Sequence, residues 1–128
     1  MSKFAHSIHH VNFPTTDIER TKEWYGKVFH MTHVDVSHLT NTRVLLMKSP
    51  DLFELHFTPV EEPTTLTPFH YAVEVVDWEG FLAHLKEVGV RNSKPVERPQ
   101  NNSKFCFITD PDGTMIELTY HGDRADIV

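Results

Sequence analysis

Two histidines and two glutamates recur at similar separations in the two halves of this 128-residue sequence, at positions 10 and 54 and at positions 70 and 117. Each lies in a short stretch where apolar and polar residues alternate, as in a half-buried β-strand. Two imidazoles and two carboxylates suit a borderline divalent metal, because imidazole supplies nitrogen and carboxylate offsets the charge of the ion. The pattern therefore predicts a metal site formed by His10, Glu54, His70 and Glu117.

The segments around these residues form a repeat. Asp17 follows His10 at the same distance as Asp77 follows His70, and apolar residues recur at helical spacing after each aspartate. The stretch "FELHF", which contains Glu54, resembles "IELTY" near the end of the second half. We therefore expect each half to begin with a strand and a helix and to end with a strand.

Residues suited to helix ends support both predicted helices. Thr16 and Glu19 have the spacing of a capping box before the first helix. Asp77 is a favourable N-cap for the second helix, and Gly89 is suited to its end.

Further strands fit near residues 32–37 and 43–48 in the first half and near 94–97 and 105–109 in the second. Asp110-Pro111-Asp112-Gly113 predicts a hairpin before the last strand. The sequence thus predicts an α+β fold in one domain, residues 1–128. Two paired βαβββ modules, about 5–60 and about 67–121, with a linker at about 58–68, would form a curved, cup-like mixed sheet with the helices on its outer face.

Strand alternation predicts which side chains accompany the four metal ligands, since alternate residues share a face. On that face we expect polar groups that contact substrate or hydrogen-bond the ligating imidazoles. These are Asn12, His56, Glu74, Thr119 and His121. By the same alternation, His9 should point away from the site, and Cys106 should lie in the core or the pocket wall.

Composition excludes several classes of partner. The net charge is −6 with no block of Lys or Arg, which argues against nucleic acid or an anionic membrane surface. No apolar run is long enough to span a bilayer. The first residues do not resemble a signal peptide, and the single cysteine fits a reducing compartment, so we expect a cytoplasmic protein.

Three segments, "HHVNFPTTDIERTKEWYGKVF", "FHYAVEV" and "FITDPDGTMIEL", resemble the vicinal-oxygen-chelate superfamily, and the similarity extends from about His9 to His121. This family includes glyoxalase I, methylmalonyl-CoA epimerase, extradiol dioxygenases, and fosfomycin- and bleomycin-resistance proteins. The resemblance implies two paired βαβββ modules around a metal, a small-molecule substrate and a homodimer. Carried over residue by residue, the family's ligands fall on the four residues named above.

Because Glu54 supplies a fourth carboxylate, the metal set is most similar to that of glyoxalase I. The resemblance then implies a lyase or isomerase that acts on a small oxygen-chelating substrate, through a metal-stabilised enolate and a carboxylate base, Glu117 or Glu54. The metal would be Ni, Zn, Mn, Co or Fe. Pro14 and Thr58 replace the family's glutathione-binding Arg and Asn, so glutathione is not expected.

Two alternatives remain open at the level of the sequence. An Fe(II) extradiol-type dioxygenase would use His10, His70 and Glu117, a two-histidine, one-carboxylate triad suited to O₂ chemistry. That class also requires an upstream His and a Tyr near the Asp-Pro turn, and neither is present. A metal-free drug-binding protein, as in bleomycin resistance, would not need the ligand set. Fosfomycin-type enzymes need a cationic pocket, and no Lys/Arg cluster in the second half predicts one.

Overall fold

The order of elements is strand, helix, strand, strand, strand, and it occurs twice. The computed structural model describes residues 4, 8–36, 38, 43–50, 53–64, 67–100 and 102–122. The chain divides into two compact units, Met1–Pro63 and Thr64–Val128. The first contains β1 (Val11–Thr15), α1 (Ile18–Phe29), β2 (Thr32–Val34), β3 (Leu45–Lys48) and β4 (Glu54–Pro59). The second contains β5 (His70–Glu74), α2 (Trp78–Glu87), β6 (Val96–Arg98), β7 (Ser103–Thr109) and β8 (Met115–Tyr120).

Each unit has one four-stranded mixed sheet, with orders β1-β4-β3-β2 and β5-β8-β7-β6. The first and last strands of a unit pair in parallel, and the other neighbours pair antiparallel. A parallel pair needs a crossover connection, which the helix and the two middle strands provide. The predicted α+β class and the βαβββ order of each module are confirmed.

The first helix begins one residue later than its capping box predicted. Asp17 is the N-cap, with extended backbone angles, and its carboxylate accepts a hydrogen bond from the Arg20 backbone N–H at 3.1 Å. Thr16 Oγ1 instead accepts from the Arg20 guanidinium at 2.9 Å. The capping-box prediction is therefore wrong, because an aspartate directly before the helix takes over the capping role.

The second helix has the predicted caps. The Asp77 carboxylate accepts from the Gly80 backbone N–H at 3.0 Å. A Cβ atom on Gly80 would collide with that carboxylate, so a larger residue there would displace the capping side chain. The helix ends at Glu87, and Gly89 follows with a φ of 79°.

Each unit packs its helix on the apolar side of its strands. In the first, the buried rings of Tyr25 and Phe57 lie 4.7 Å apart. In the second, Leu85 from α2 is buried, as are Ile116 and Leu118 in β8. The alternate residues of β4 and β8 include Glu54 and Glu117, which are only partly buried.

The hairpin between β7 and β8 forms at the predicted Asp-Pro-Asp-Gly turn. The buried Asp110 carboxylate accepts from the backbone N–H groups of Asp112 and Thr114, each at 2.9 Å. Gly113 has a φ of 88° and donates its N–H to the Asp110 carbonyl. One side chain therefore holds the turn that leads into the strand bearing Glu117.

Replacing Asp110 by Ala leaves two buried backbone donors without their acceptor. We expect Asp110→Ala to lower the free energy of unfolding by about 1–3 kcal/mol. Asp110→Asn, which keeps a carbonyl oxygen, should lose less. Urea denaturation followed by circular dichroism measures both values, and an unchanged midpoint for Asp110→Ala would contradict this role.

Cys106 lies in β7 with no exposed surface, and burial raises the pKa of its thiol to about 11. We expect the folded protein to resist thiol-specific reagents at about pH 8, because the thiolate is scarce and unexposed. Labelling should become rapid in denaturing guanidinium. Since the chain has a single cysteine, the labelling rate reports on this residue alone. Fast labelling of the folded protein would show that β7 opens readily.

Candidate metal centre

A cluster of imidazole and carboxylate groups lies where β1 and β4 begin. Val11 of β1 is paired with Leu55 of β4, so the preceding residues, His10 and Glu54, are neighbours across the pair. Ligand atoms of His9, His10 and Glu54 all lie within 4.8 Å of one another. This spacing is short enough for one ion to contact all three, and the mix of nitrogen and oxygen suits a borderline divalent metal.

His9 does not point away from this cluster, as alternation had predicted. Its Nδ1 atom is 2.9 Å from Nδ1 of His10 and 3.9 Å from Oε2 of Glu54. The prediction was wrong because β1 begins only at Val11. Residues 9 and 10 precede the strand, so the two-residue period does not govern their side chains.

His56 makes the shortest polar contact in the cluster. Its Nε2 atom is 2.6 Å from Oε2 of Glu54, and the two side chains are 15% and 14% exposed. This hydrogen bond is the main reason that the pKa of the Glu54 carboxyl is lowered from its usual value, against the opposing effect of burial. The rings of His10 and His56 are stacked, with centroids 3.6 Å apart and planes 14° apart.

In the second unit, His70 and Glu117 are in direct contact. His70 Nε2 is 3.0 Å from Glu117 Oε1, and His70 Nδ1 is 2.9 Å from the carbonyl oxygen of Pro68. A carbonyl and an ionised carboxylate can only accept, so both ring nitrogens of His70 face acceptors. A cation bound at Nε2 would leave the Nδ1–H donating to the carbonyl, which is the usual arrangement of a metal-ligating imidazole.

Sequence reasoning missed Arg98 as a neighbour of this pair. Its Nη2 atom is 3.2 Å from Oε2 of Glu117, and its guanidinium carbon is 4.2 Å from the centroid of the Phe105 ring. No cation was predicted here, because Arg98 is far from Glu117 in sequence and reaches it only across the β6–β7–β8 part of the sheet. Glu117 is therefore held between an imidazole and a guanidinium.

The other polar residues predicted for this face divide into separate contacts. Glu74 binds His121 through both the ring Nδ1, at 2.7 Å, and the backbone N–H, at 3.0 Å. Asn12 accepts from the Thr58 hydroxyl at 2.9 Å rather than from a histidine. Thr119 is buried, and its hydroxyl has no hydrogen-bond partner within the part of the chain that the structure describes.

Glu54 and Glu117 do not occupy equivalent positions, although the sequence repeat matched them. Glu54 is the first residue of β4, whereas Glu117 is the third residue of β8. The third residue of β4 is His56. The sequence repeat aligned Glu54 with Glu117 by residue identity. The strand bounds show that this alignment is displaced by two residues.

Each unit thus presents imidazole beside carboxylate, which is the donor chemistry expected of a divalent-metal protein.

No helix among the described residues is long and apolar enough to cross a membrane.

Comparison with solved structures shows the same fold in several proteins of low sequence identity. A glyoxalase family protein from Bacillus anthracis is 20% identical, with a TM-score of 0.75 over 94% of this chain and 99% of that chain. A mutant of the fosfomycin resistance protein FosX from Listeria monocytogenes, complexed with Mn(II) and 1S,2S-dihydroxypropylphosphonic acid, is 13% identical, with a TM-score of 0.79 over 97% and 98%. A bleomycin resistance determinant encoded on transposon Tn5 is 18% identical, with a TM-score of 0.71 over 91% and 98%.

No curated protein matches this chain. The family model for the Glyoxalase/Bleomycin resistance protein/Dioxygenase superfamily matches residues 7–118, which is most of the sequence. That match agrees with the resemblance drawn from the sequence and with the two βαβββ units. The chain therefore belongs to the Glyoxalase/Bleomycin resistance protein/Dioxygenase superfamily.

Proposed function

We propose that this protein is a divalent-metal-dependent enzyme of the glyoxalase type, a lyase or isomerase that acts on a small substrate with two neighbouring oxygens. The observation that carries the proposal is the orientation of His70. Its Nδ1 atom donates to the Pro68 carbonyl, and its Nε2 atom faces the Glu117 carboxylate. An imidazole held in this way suits coordination of a cation beside a carboxylate.

The proposed ligands are His10, His70, Glu117 and one member of the Glu54–His56 pair. Membership of the superfamily supports a metal site, and the Mn(II) in the FosX complex supports a divalent ion. When bound, the ion would supply Lewis-acid polarisation of the substrate oxygens. Ni, Zn, Mn, Co and Fe all suit this set of nitrogen and oxygen donors.

The proposed general base is a carboxylate, Glu54 or Glu117, acting on a proton next to a carbonyl group. Because the pKa of Glu54 is lowered, its carboxyl is ionised at neutral pH, and the same shift makes it a weaker base than an unperturbed glutamate. Glu117 is restrained on one oxygen by Arg98 and on the other by His70. Movement of Glu117 towards a substrate would break both of these contacts, whereas movement of Glu54 would break its hydrogen bond with His56.

Metal content tests the proposal directly. Protein purified anaerobically without added metal should contain about one divalent ion per chain, and His70→Ala should lose it. His33→Ala is the matched control, because His33 is exposed on β2. Plasma mass spectrometry measures all three proteins. Ni, Zn, Mn or Co would favour the lyase or isomerase, and Fe would favour the dioxygenase. Wild-type protein that stays metal-free after reconstitution would contradict the proposal and favour a drug-binding protein.

Glutamine variants test the carboxylate base. We expect Glu54→Gln or Glu117→Gln to slow metal-dependent exchange of the α-proton by about 10²–10⁴-fold, because an amide cannot accept the proton. Deuterium exchange followed by nuclear magnetic resonance, over a panel of 2-hydroxycarbonyl compounds, measures the rate. Glu62→Gln is the matched control, since Glu62 is exposed. Metal content of each variant separates loss of the base from loss of the ion, and full exchange in both variants would refute this role.

A further inference from the structure

We infer that His56, rather than Glu54, binds the metal from the first unit, and that Glu54 orients the His56 imidazole. The inference rests on the proposed function only in requiring that the protein bind a divalent metal. It replaces Glu54 with His56 among the ligands predicted from the sequence.

The first strands of the two units align without a gap. His10 and His70 precede the N-cap aspartates of α1 and α2 by the same number of residues. Two residues further along these strands, Asn12 is therefore equivalent to Ala72. This alignment uses the helix starts alone and does not depend on any likeness between the last strands.

The pairing of the last strands then identifies the equivalent positions. Asn12 lies opposite His56 in the β1–β4 pair, and Ala72 lies opposite Glu117 in the β5–β8 pair. Both partners are the third residue of a six-residue strand. His56 therefore occupies the position in the first unit that Glu117 occupies in the second.

Glu54 corresponds to Met115, the first residue of β8. Burial agrees with this alignment, because the second and fourth residues are almost fully buried in both strands. These residues are Leu55 and Phe57 in β4 and Ile116 and Leu118 in β8. A displacement by two residues keeps each side chain on its own face, so Glu54 and His56 remain on the same side of the sheet.

The contact between Glu54 and His56 suits an indirect role for the carboxylate. His56 Nε2 donates to Glu54 Oε2 at 2.6 Å, which leaves Nδ1 as the nitrogen with a lone pair. Carboxylates commonly hold ligating imidazoles through the nitrogen that does not bind the metal. His70 is held in the corresponding way by the Pro68 carbonyl, although through the opposite ring nitrogen.

The stacked rings of His10 and His56 set a condition on binding. The lone pair of an imidazole nitrogen lies in the plane of the ring, and the two planes are nearly parallel. Both rings can therefore bind one ion only after one of them turns. His10 is the ring expected to turn, because it is exposed and precedes β1, whereas His56 is restrained by Glu54.

Pulsed electron paramagnetic resonance of the Cu²⁺-loaded full-length protein tests the inference, because the remote nitrogen of each bound imidazole modulates the echo. We use a His9→Gln background, since the ring of His9 also lies beside His10. Added to that background, His56→Ala should lower the number of bound imidazoles by one, Glu54→Gln should leave that number unchanged, and His33→Ala, the matched control, should change nothing.

Affinity for Mn²⁺ gives a second readout that is independent of turnover. Glu54→Gln should raise the Kd by about 10–100-fold, as expected for loss of an orienting partner, and His56→Ala should raise it further. Circular dichroism checks that the variants are folded, and His56→Gln repeats the test with a larger side chain. An unchanged imidazole count in His56→Ala, with metal still bound, would overturn the inference alone. Failure of the unsubstituted protein to bind Cu²⁺ or Mn²⁺ would overturn the proposed function and the inference together.

Discussion

In each unit the first strand lies parallel to the last, and the rest of the unit depends on this pairing. Parallel neighbours cannot be joined by a tight turn, so the helix and the two middle strands have to form the crossover. The pairing also brings residues from distant parts of the sequence together. It sets His10 beside Glu54 and His56 in one unit, and His70 beside Glu117 in the other. The same constraint therefore explains both the order of strands and the composition of each polar cluster.

The imidazoles of the two clusters are oriented by different partners. A backbone carbonyl fixes His70, whereas a carboxylate fixes His56. A carbonyl is neutral, and its position follows the main chain. A carboxylate adds charge and can be exchanged by mutation without moving the strand. The second unit adds Arg98, whose guanidinium offsets the charge of Glu117. A cation bound by Glu117 would thus share that carboxylate with a permanent positive charge.

Most of the fold could be predicted from the sequence. Hydrophobic residues recur with a period of 2 in the strands and about 3.6 in the helices, and Asp77, Gly89 and the Asp-Pro-Asp-Gly turn mark where elements begin or end. Four features could not be predicted. The N-cap was assigned to Thr16 because a capping-box spacing competes with the simpler cap at Asp17. His9 was misplaced because alternation holds only inside a strand, and β1 starts after it. Arg98 was missed because its contact with Glu117 crosses an intervening strand, which no local spacing encodes. The similarity between "FELHF" and "IELTY" led to a wrong alignment of β4 with β8, because the register of a strand is set by its pairing with the neighbouring strand and not by residue identity.

The two-residue offset between Glu54 and Glu117 shows how the two units can carry different polar residues on the outer faces of equivalent strands. Along a strand, a step of two leaves the inner face untouched, so the packing of Leu55 and Phe57 does not depend on which polar residue stands at each neighbouring outer position. Donor types can therefore be exchanged between adjacent outer positions while the core packing stays the same. A new set of metal or substrate contacts on the outer face would thus not require a prior loss of stability.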